Sequence, residues 1–358
     1  MKCATVASLA ITCAALAERF EFAEVHMAVP VRVVLHAKDE AQARRAAREA
    51  FDRVKAWDDV LTDWREDSDA MRLPKQAGAS AETDGRLAIA LDVADRFARS
   101  THGALDPAIG RLTRLWRQAR RTGARPDPTG LAAARASCGR DAWKWDAGTR
   151  RFTALRDGVR MDFGAIGQGL AADEALAALR AAGCPASLVD VSGDIALGAP
   201  PPGEPGWRIR VEPEFDAQPA DDLLLHDCGV STSGDRGQRA RVGDRVVSHI
   251  IDPATGEPLP MPRQATVVAR DATTADALAT ALCVLDAPAA ATLACASGVH
   301  ARLDRTPADG GVQRLEGWST LRRASSSRES GPSAPEAPRP SPASEASGPP
   351  CSPARPSR

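Results

Sequence analysis

The chain contains no tyrosine, and aromatic residues make up only 4% of its 358 positions. Each Trp or Phe that remains is therefore a candidate for a core or binding role. Lys and Arg number 46 against 47 Asp and Glu, a net charge of -1, and no basic stripe with interleaved aromatics occurs. The electrostatic footprint of a nucleic-acid-binding protein is missing. There is also no CxxC pair. Of eight cysteines, Cys3 and Cys13 fall in an apolar leader and Cys351 in the tail, which leaves Cys138, Cys184, Cys228, Cys283 and Cys295 scattered between them. An odd, scattered set argues against a disulfide framework and against a cysteine zinc site, so these read mostly as small buried residues. A repeat of fixed period and a long internal polar linker are absent as well. So is an apolar run of the ~20 residues that a membrane helix needs, because charge returns at Glu18-Arg19.

What is present divides the chain into three stretches. Met1-Lys2, the apolar run Cys3 to Ala17 and the small-x-small ending Ala15-Leu16-Ala17 read as a secretory signal over residues 1–17, with a buried N-terminal helix as the alternative. Cys13 follows Ala10-Ile11-Thr12, a poor lipoprotein box, so the expectation is export to the periplasm without a lipid anchor. From Ala324 to Arg358 the composition turns to Ser, Pro, Gly, Ala and Arg, too poor in large apolar residues to bury a core, and disorder is expected. Residues 18–323 then form one large domain.

Within it, Val29 to Leu35 reads as a strand, and Asp39 caps a helix whose apolar residues Ala43, Ala47, Ala50, Phe51, Val54 and Leu61 recur at helical spacing. A second helix follows Asp84 and a third follows Gly169 through Leu179. Val159–Phe163, Ser187–Val191, Trp207–Val211, Arg245–Ile251 and Ala265–Ala269 read as short strands, with a hairpin about Gly243-Asp244. The expected class is α+β, a single large domain with mixed, largely antiparallel sheets and packed helices.

Three segments could carry chemistry. Asp276 and Thr280 stand four apart, which on a helix puts a carboxylate and a hydroxyl on one face, both oxygen donors that magnesium accepts. The alternative is a capping box of Thr273 and Asp276, with Thr280 bonding back to a carbonyl. Met161 to Gly169 runs from a strand end through glycines into a helix, a junction that can present N–H groups to a phosphate. It does not fit GxGxxG. Ser248 to Gly256 closes a strand with His249 and Asp252 before a Pro/Gly turn; His249 could accept a proton or bind phosphate, and Asp252 could orient a ligand or simply the turn. Ser231 to Asp235 lacks the G-x-S-x-G frame of a hydrolase nucleophile.

Taken in order, Met27, Thr62-Asp63-Trp64 with Asp67-Ser68-Asp69, Ala104 to Gly110, Met161 to Gly169, Asp190-Val191-Ser192-Gly193-Asp194, Thr232 to Asp235, Ser248 to Pro253 and Ala275 to Ala281 resemble the ApbE family, the FAD:protein FMN transferases, over about Phe20 to Ala301. The resemblance implies that Met27, Trp64, Ala104, Leu105, Asp106, Asp162, Gln168 and Ile250 hold FAD. It implies Mg2+ on the carbonyl of Ala165 and the side chains of Asp276 and Thr280. Two departures stand out: the usual Gly-Thr after the Met is Ala28-Val29, and the usual Ala-Lys is Gly167-Gln168. Loss of that Lys removes a charge that could face a phosphate.

The implied reaction moves FMN from FAD onto a Thr or Ser hydroxyl of an acceptor protein and releases AMP, with His249 favoured over Asp252 as proton acceptor because an imidazole titrates near pH ~6.5. Acceptors are expected among flavin-binding subunits of membrane-bound redox complexes. The alternatives are an FAD pyrophosphatase that gives FMN and AMP, and a non-catalytic flavin-binding protein, against which Asp276 and Thr280 argue.

Overall fold

The computed structural model describes residues 17–216, 218–236, 239–260, 262–306, 311–315 and 317–323. The expected signal over 1–17, save Ala17, and the tail expected over 324–358 lie outside the described residues. Among the described residues, no helix is long and apolar enough to cross a membrane.

The centre is an eight-stranded, wholly antiparallel sheet. It begins with a hairpin of β1 (Glu18–His26) and β2 (Val29–Ala37). Across it follow β6 (Ser187–Val191), β7 (Asp194–Leu197), β10 (Cys228–Gly234), β13 (Gln264–Ala269), β14 (His300–Asp304) and β15 (Val312–Leu315), each bonded to its neighbour in that order. Alternation decides which side chains face which layer. Val31, Val33 and Leu35 of β2 turn to one face, and Val34 turns to the other. Inner strands bury both faces and so lose the polar half of the pattern; every residue of β13 is buried.

Helices α1 (Glu40–Leu61), α6 (Gly167–Ala181) and α7 (Ala272–Val284) cover the first face. Asp39 caps α1 as expected, its carboxylate accepting the Gln42 N–H at 2.7 Å, and the apolar stripe read from the sequence is buried. Helix α7 is apolar almost all round, which suits a helix enclosed on all sides. The hairpin β8 (Trp207–Val211) and β9 (Asp221–Leu225) closes the second face, packing Trp207, Ile209 and Leu223 against Val34, Leu188 and Val268. Helix α8 (Ala287–Ser297) ends at Gly298, whose φ of +63° is a left-handed C-cap.

The remaining elements lie outside the central sheet. They are α2 (Asp69–Arg72), α3 (Gly85–Ser100), α4 (Gly110–Thr122), α5 (Pro128–Ala136) and a small sheet of β3 (Ser80–Glu82), β5 (Arg151–Ala154) and β4 (Trp143–Asp146). The hairpin β11 (Ala240–Val242) and β12 (Arg245–Val247) turns about Gly243-Asp244, as expected. It packs Val242 and Val247 against Leu112, Trp116 and Ala119 of α4.

Three boundaries differ from the expectation. Val159–Phe163 is not a strand; it makes a single bridge, Arg160 to Ile109, because it lies along the loop 107–110, where Asp162 N–H donates to Pro107 and Gly110 N–H to Arg160. The strand from Arg245 ends at Val247 rather than Ile251, since Ile250 and Ile251 turn away to pair with Leu259 and Pro258. Helix α6 starts at Gly167, ahead of the Gly169 that it was expected to follow.

Gly169 sets how closely α6 meets α7. A Cβ there would lie 2.7 Å from the Ala272 carbonyl oxygen and from Thr273 Cα, both main-chain atoms that cannot swing aside. Gly169→Ala is therefore expected to destabilise the fold by about 1–3 kcal/mol, the usual cost of overpacking. Urea unfolding monitored by circular dichroism measures it, and an unchanged midpoint would show that the two helices can separate freely.

Candidate functional site

The N-terminus of α7 is held by two carboxylates. Asp271 caps it, accepting the Thr274 N–H at 2.7 Å. Asp173 reaches over from α6 and accepts the N–H groups of Ala272 and Thr273 at 2.9 Å each and the Thr273 hydroxyl at 2.6 Å. With those donors satisfied, the capping box of Thr273 and Asp276 does not form. Asp276 turns inward instead, 3% exposed, and accepts the Gly169 N–H at 3.1 Å. One turn on, the Thr280 hydroxyl meets the Ser233 hydroxyl of β10 at 3.0 Å. Carboxylate and hydroxyl thus share one helix face.

Electrostatics make this corner unusual. Burial, and then the charge of Asp194, raise the Asp276 carboxyl well above the usual carboxylate range, against the pull of the Gly169 N–H. Burial also pushes Asp194 up to about 7, with a further contribution from Asp190. Two neighbouring carboxylates in a low-dielectric interior resist ionising together unless a cation shares the site. Asp194, Asp276, Thr280, Ser233 and Ala165 all line the same cleft. Their donors are oxygens, the type magnesium takes. No group of three or more His, Cys, Asp or Glu side chains fit to hold a metal occurs among the described residues. Main-chain carbonyls, hydroxyls, water and ligand phosphate would have to complete the shell, which is how magnesium is usually held.

The cleft measures about 540 Å³, within the range of small-ligand sites. Met27, Trp64, Ala104, Leu105, Asp106, Asp162, Ala165, Gln168, His249, Ile250, Asp276 and Thr280 all line it. Met27 and Ala28 both take left-handed φ, 52° and 60°, at the β1–β2 turn. The Met27 N–H donates to Asp58 at 2.9 Å, which holds this strained turn against the cleft. Trp64 is 61% exposed, with the Arg117 guanidinium 4.1 Å from its ring centroid. Two carboxylates at the cleft also serve the backbone: Asp106 accepts the N–H groups of Ala108 and Gly139, and Asp162 accepts that of Gly164.

His249 and Asp252 part company. The His249 ring lies on the cleft wall with its Nδ1 3.7 Å from Asp235 Oδ1. Asp252 does not line the cleft. Its carboxylate accepts the Ala254 N–H at 2.9 Å and the Thr255 hydroxyl at 3.1 Å, and the turn it shapes is anchored to α4 by Trp116 Nε1 on the Gly256 carbonyl. The geometry gives Asp252 the turn-forming role rather than the catalytic one.

Other residues in or beside the cleft were given no role from the sequence. Asp194 and Asp235 sit inside motifs that the sequence displays, yet only the fold shows that they face Asp276 and His249. Arg117 and Arg120, three apart on α4, bring positive charge into the cleft where Gln168 brings none. Arg117 also pairs with Asp63 at 2.7 Å.

The ApbE family matches residues 27–303 of this chain. The chain belongs to the ApbE family. A relative from Treponema pallidum described as an FAD:protein FMN transferase is 33% identical over 282 residues, covering 74% of this chain and 78% of its own. One from Klebsiella pneumoniae with the same description is 29% identical over 266 residues, covering 71% and 75%. The crystal structure of the ApbE protein of Thermotoga maritima superimposes with a TM-score of 0.76 at 26% identity, covering 86% of this chain and all of the other. The motifs that suggested the ApbE family thus fall around one cavity of an ApbE fold.

The raised carboxyls have a pH signature. In the metal-free protein Asp194 and Asp276 keep protons that the unfolded chain gives up from its ordinary value of 3.8 upward, so their contribution to stability falls as pH rises from about 4 through 7. Asp276→Asn should therefore raise the melting temperature in chelator at pH 8 relative to the native chain, by about 2–4 °C per kcal/mol relieved, and change it little at pH 4. Magnesium should raise that of the native chain alone. Equal melting curves at pH 8 would show that the carboxylates are not in conflict.

Proposed function

We propose that this chain is a magnesium-dependent FAD:protein FMN transferase, moving FMN from FAD to a Thr or Ser hydroxyl of an acceptor protein and releasing AMP. The observation that carries this reading is a single cleft that gathers the Asp276–Thr280 oxygen set, the His249 imidazole and the Arg117–Arg120 pair, in a chain whose relatives are described as such transferases. Magnesium, held by Asp276, Thr280 and the Ala165 carbonyl, would neutralise charge on the pyrophosphate as the leaving AMP departs. Trp64 offers an exposed ring for stacking on FAD, and Met27, Leu105 and Ile250 offer apolar surface. Arg117 and Arg120 supply cationic contacts for the phosphates. The His249 ring takes the proton of the acceptor hydroxyl as its oxygen attacks the flavin-side phosphorus. The same cleft would serve hydrolysis if water took the hydroxyl's place, and the assay has to separate the two. Export to the periplasm, and acceptors among membrane-bound redox complexes, complete the proposal, supported by the leader-like N-terminal run.

Incubation with FAD, magnesium and a candidate acceptor, scored by acceptor mass, tests the reading. FMN and AMP released without any gain in acceptor mass would favour hydrolysis. Asp276→Ala should abolish transfer in a folded protein; activity in ordinary magnesium excess would remove Asp276 from the metal site. His249→Asn should slow transfer by about 10²–10⁴-fold with FAD affinity retained, the usual worth of a general base. Trp64→Ala should weaken FAD binding more than it slows bound turnover, since stacking acts on ground and transition states alike. Calorimetry with FAD gives that comparison, and an unaltered dissociation constant would take Trp64 out of the site.

A further inference from the structure

An imidazole that accepts a proton at one ring nitrogen needs the other nitrogen held, because the tautomer decides which one carries the lone pair. His249 Nδ1 is buried and makes no hydrogen bond of ordinary length. The carboxylate of Asp235 stands before it, Oδ1 at 3.7 Å. Asp235 is 1% exposed, and it is fixed from a second side: the Ser248 hydroxyl donates to the same Oδ1, while Ser248 Oγ accepts the Ile250 N–H at 2.9 Å. The residues before and after His249 thus lock the carboxylate in register with the ring between them.

The carboxylate is held in its ionised form. Burial alone would raise it, yet the His249 ring and the Ser248 hydroxyl keep Asp235 below the ordinary range. Other ionisable groups face the pair from the surrounding elements. Arg120 of α4 feels the Asp235 charge. Glu214, from the segment after β8, feels it too, but is itself ion-paired to Arg239. Cys283 of α7 stays a neutral thiol, burial first and then Asp235 pushing it up to about 12.

We propose that Asp235 is the positioning residue for His249, accepting the Nδ1 proton so that Nε2 carries the lone pair toward the acceptor hydroxyl. The inference rests on the transfer reading above. At 3.7 Å the contact is longer than the ~2.9 Å of a formed N–H···O bond, as such contacts often are before substrate binds, and the proposal requires it to shorten in the ternary complex. The hydroxyl proton passes to Nε2, the hydroxyl oxygen bonds to the flavin-side phosphorus, and the P–O bond to AMP breaks with its electron pair on AMP. The imidazolium, stabilised by the Asp235 carboxylate, then returns its proton to solvent.

Asp235→Asn keeps the shape and removes the charge. Three readouts test it on the full chain: transfer rate against pH, FAD affinity, and titration of the His249 ring by NMR without FAD or metal, with His249→Asn used to assign the ring signal. The expected result is a rate lower by about 10²–10⁴-fold, with FAD affinity unchanged. The acid limb of the rate and the ring titration should both move to lower pH, since the imidazolium loses its anionic partner. Asp235→Glu should recover part of the rate and of the titration shift. A ring titration and acid limb unmoved in Asp235→Asn, while His249→Asn abolishes that limb, would overturn the inference and leave the transfer reading standing. A native chain that adds no mass to any acceptor would sink the transfer reading, and the NMR arm would still decide whether the two side chains pair. Should Asp235→Asn fail to fold, Ser248→Ala removes only the hydroxyl that fixes the carboxylate and should shift both readouts the same way by less.

Discussion

The structure depends on a carboxylate buried where α6 and α7 meet β10. Asp276 is enclosed, faces Asp194, and is held by one main-chain N–H from Gly169. That donor reaches it only because residue 169 has no side chain, so the two helices can touch backbone to backbone. Asp173 then bonds the first N–H groups of α7, fixing the rotation of the helix and hence the direction in which Asp276 and Thr280 point. A buried carboxyl with so little compensation costs the metal-free fold stability. Such a cost is reasonable where a cation and an anionic ligand are to be bound, because the same burial strengthens every charge interaction made there.

Cationic charge in the cleft follows from a different element. At the start of the α6 segment this chain presents the uncharged Gln168, and two guanidiniums of α4 line the cavity. Arg117 is braced by Asp63 and lies over the Trp64 ring. Arg120 is partly buried, and burial first, then the charge of Arg117, lowers its basicity, offset by Asp235. A guanidinium binds phosphate through two N–H groups in a fixed plane, where an ammonium acts as a point charge. The cationic groups of the cleft are therefore the directional kind, and they stand on α4.

Legibility in the sequence followed the range of each interaction. Helix α1, its Asp39 cap, strand β2 and the β11–β12 hairpin depend on neighbours within a few residues, and their patterns stood out. The strand expected at Val159–Phe163 failed for want of a partner: its alternation is real, but the loop 107–110 lies beside it in place of a strand. Likewise, Thr273 and Asp276 have the spacing of a capping box, yet Asp173, about a hundred positions away, takes the donors that the box would use. Every residue the ordered motifs singled out for the site lines the cleft except Asp252, while Arg117 and Arg120 line it unannounced. The pairing of Asp194 with Asp276 was illegible because it joins segments distant in the chain, and that of Asp235 with His249 because the hairpin pattern shows only that its two flanks return, not which side chains meet.

The central sheet, with the β11–β12 hairpin that returns the chain to the end of β10, accounts for the placement of both pairs. Strand β10 passes between β7 and β13, with Ser231 paired to Val267 and Ser233 to Ala265. Its C-terminal end therefore carries Ser233 toward Thr280 on α7 and, two residues later, Asp235 toward His249. A period of two would turn Ser233 and Asp235 to one side if the strand ran on. It ends at Gly234, however, which frees Asp235 to bond Ser248. One strand end thus fixes the spacing between the oxygen cluster and the imidazole. That spacing is set by backbone register and not by flexible side chains, as a site that must hold two groups at a fixed separation requires.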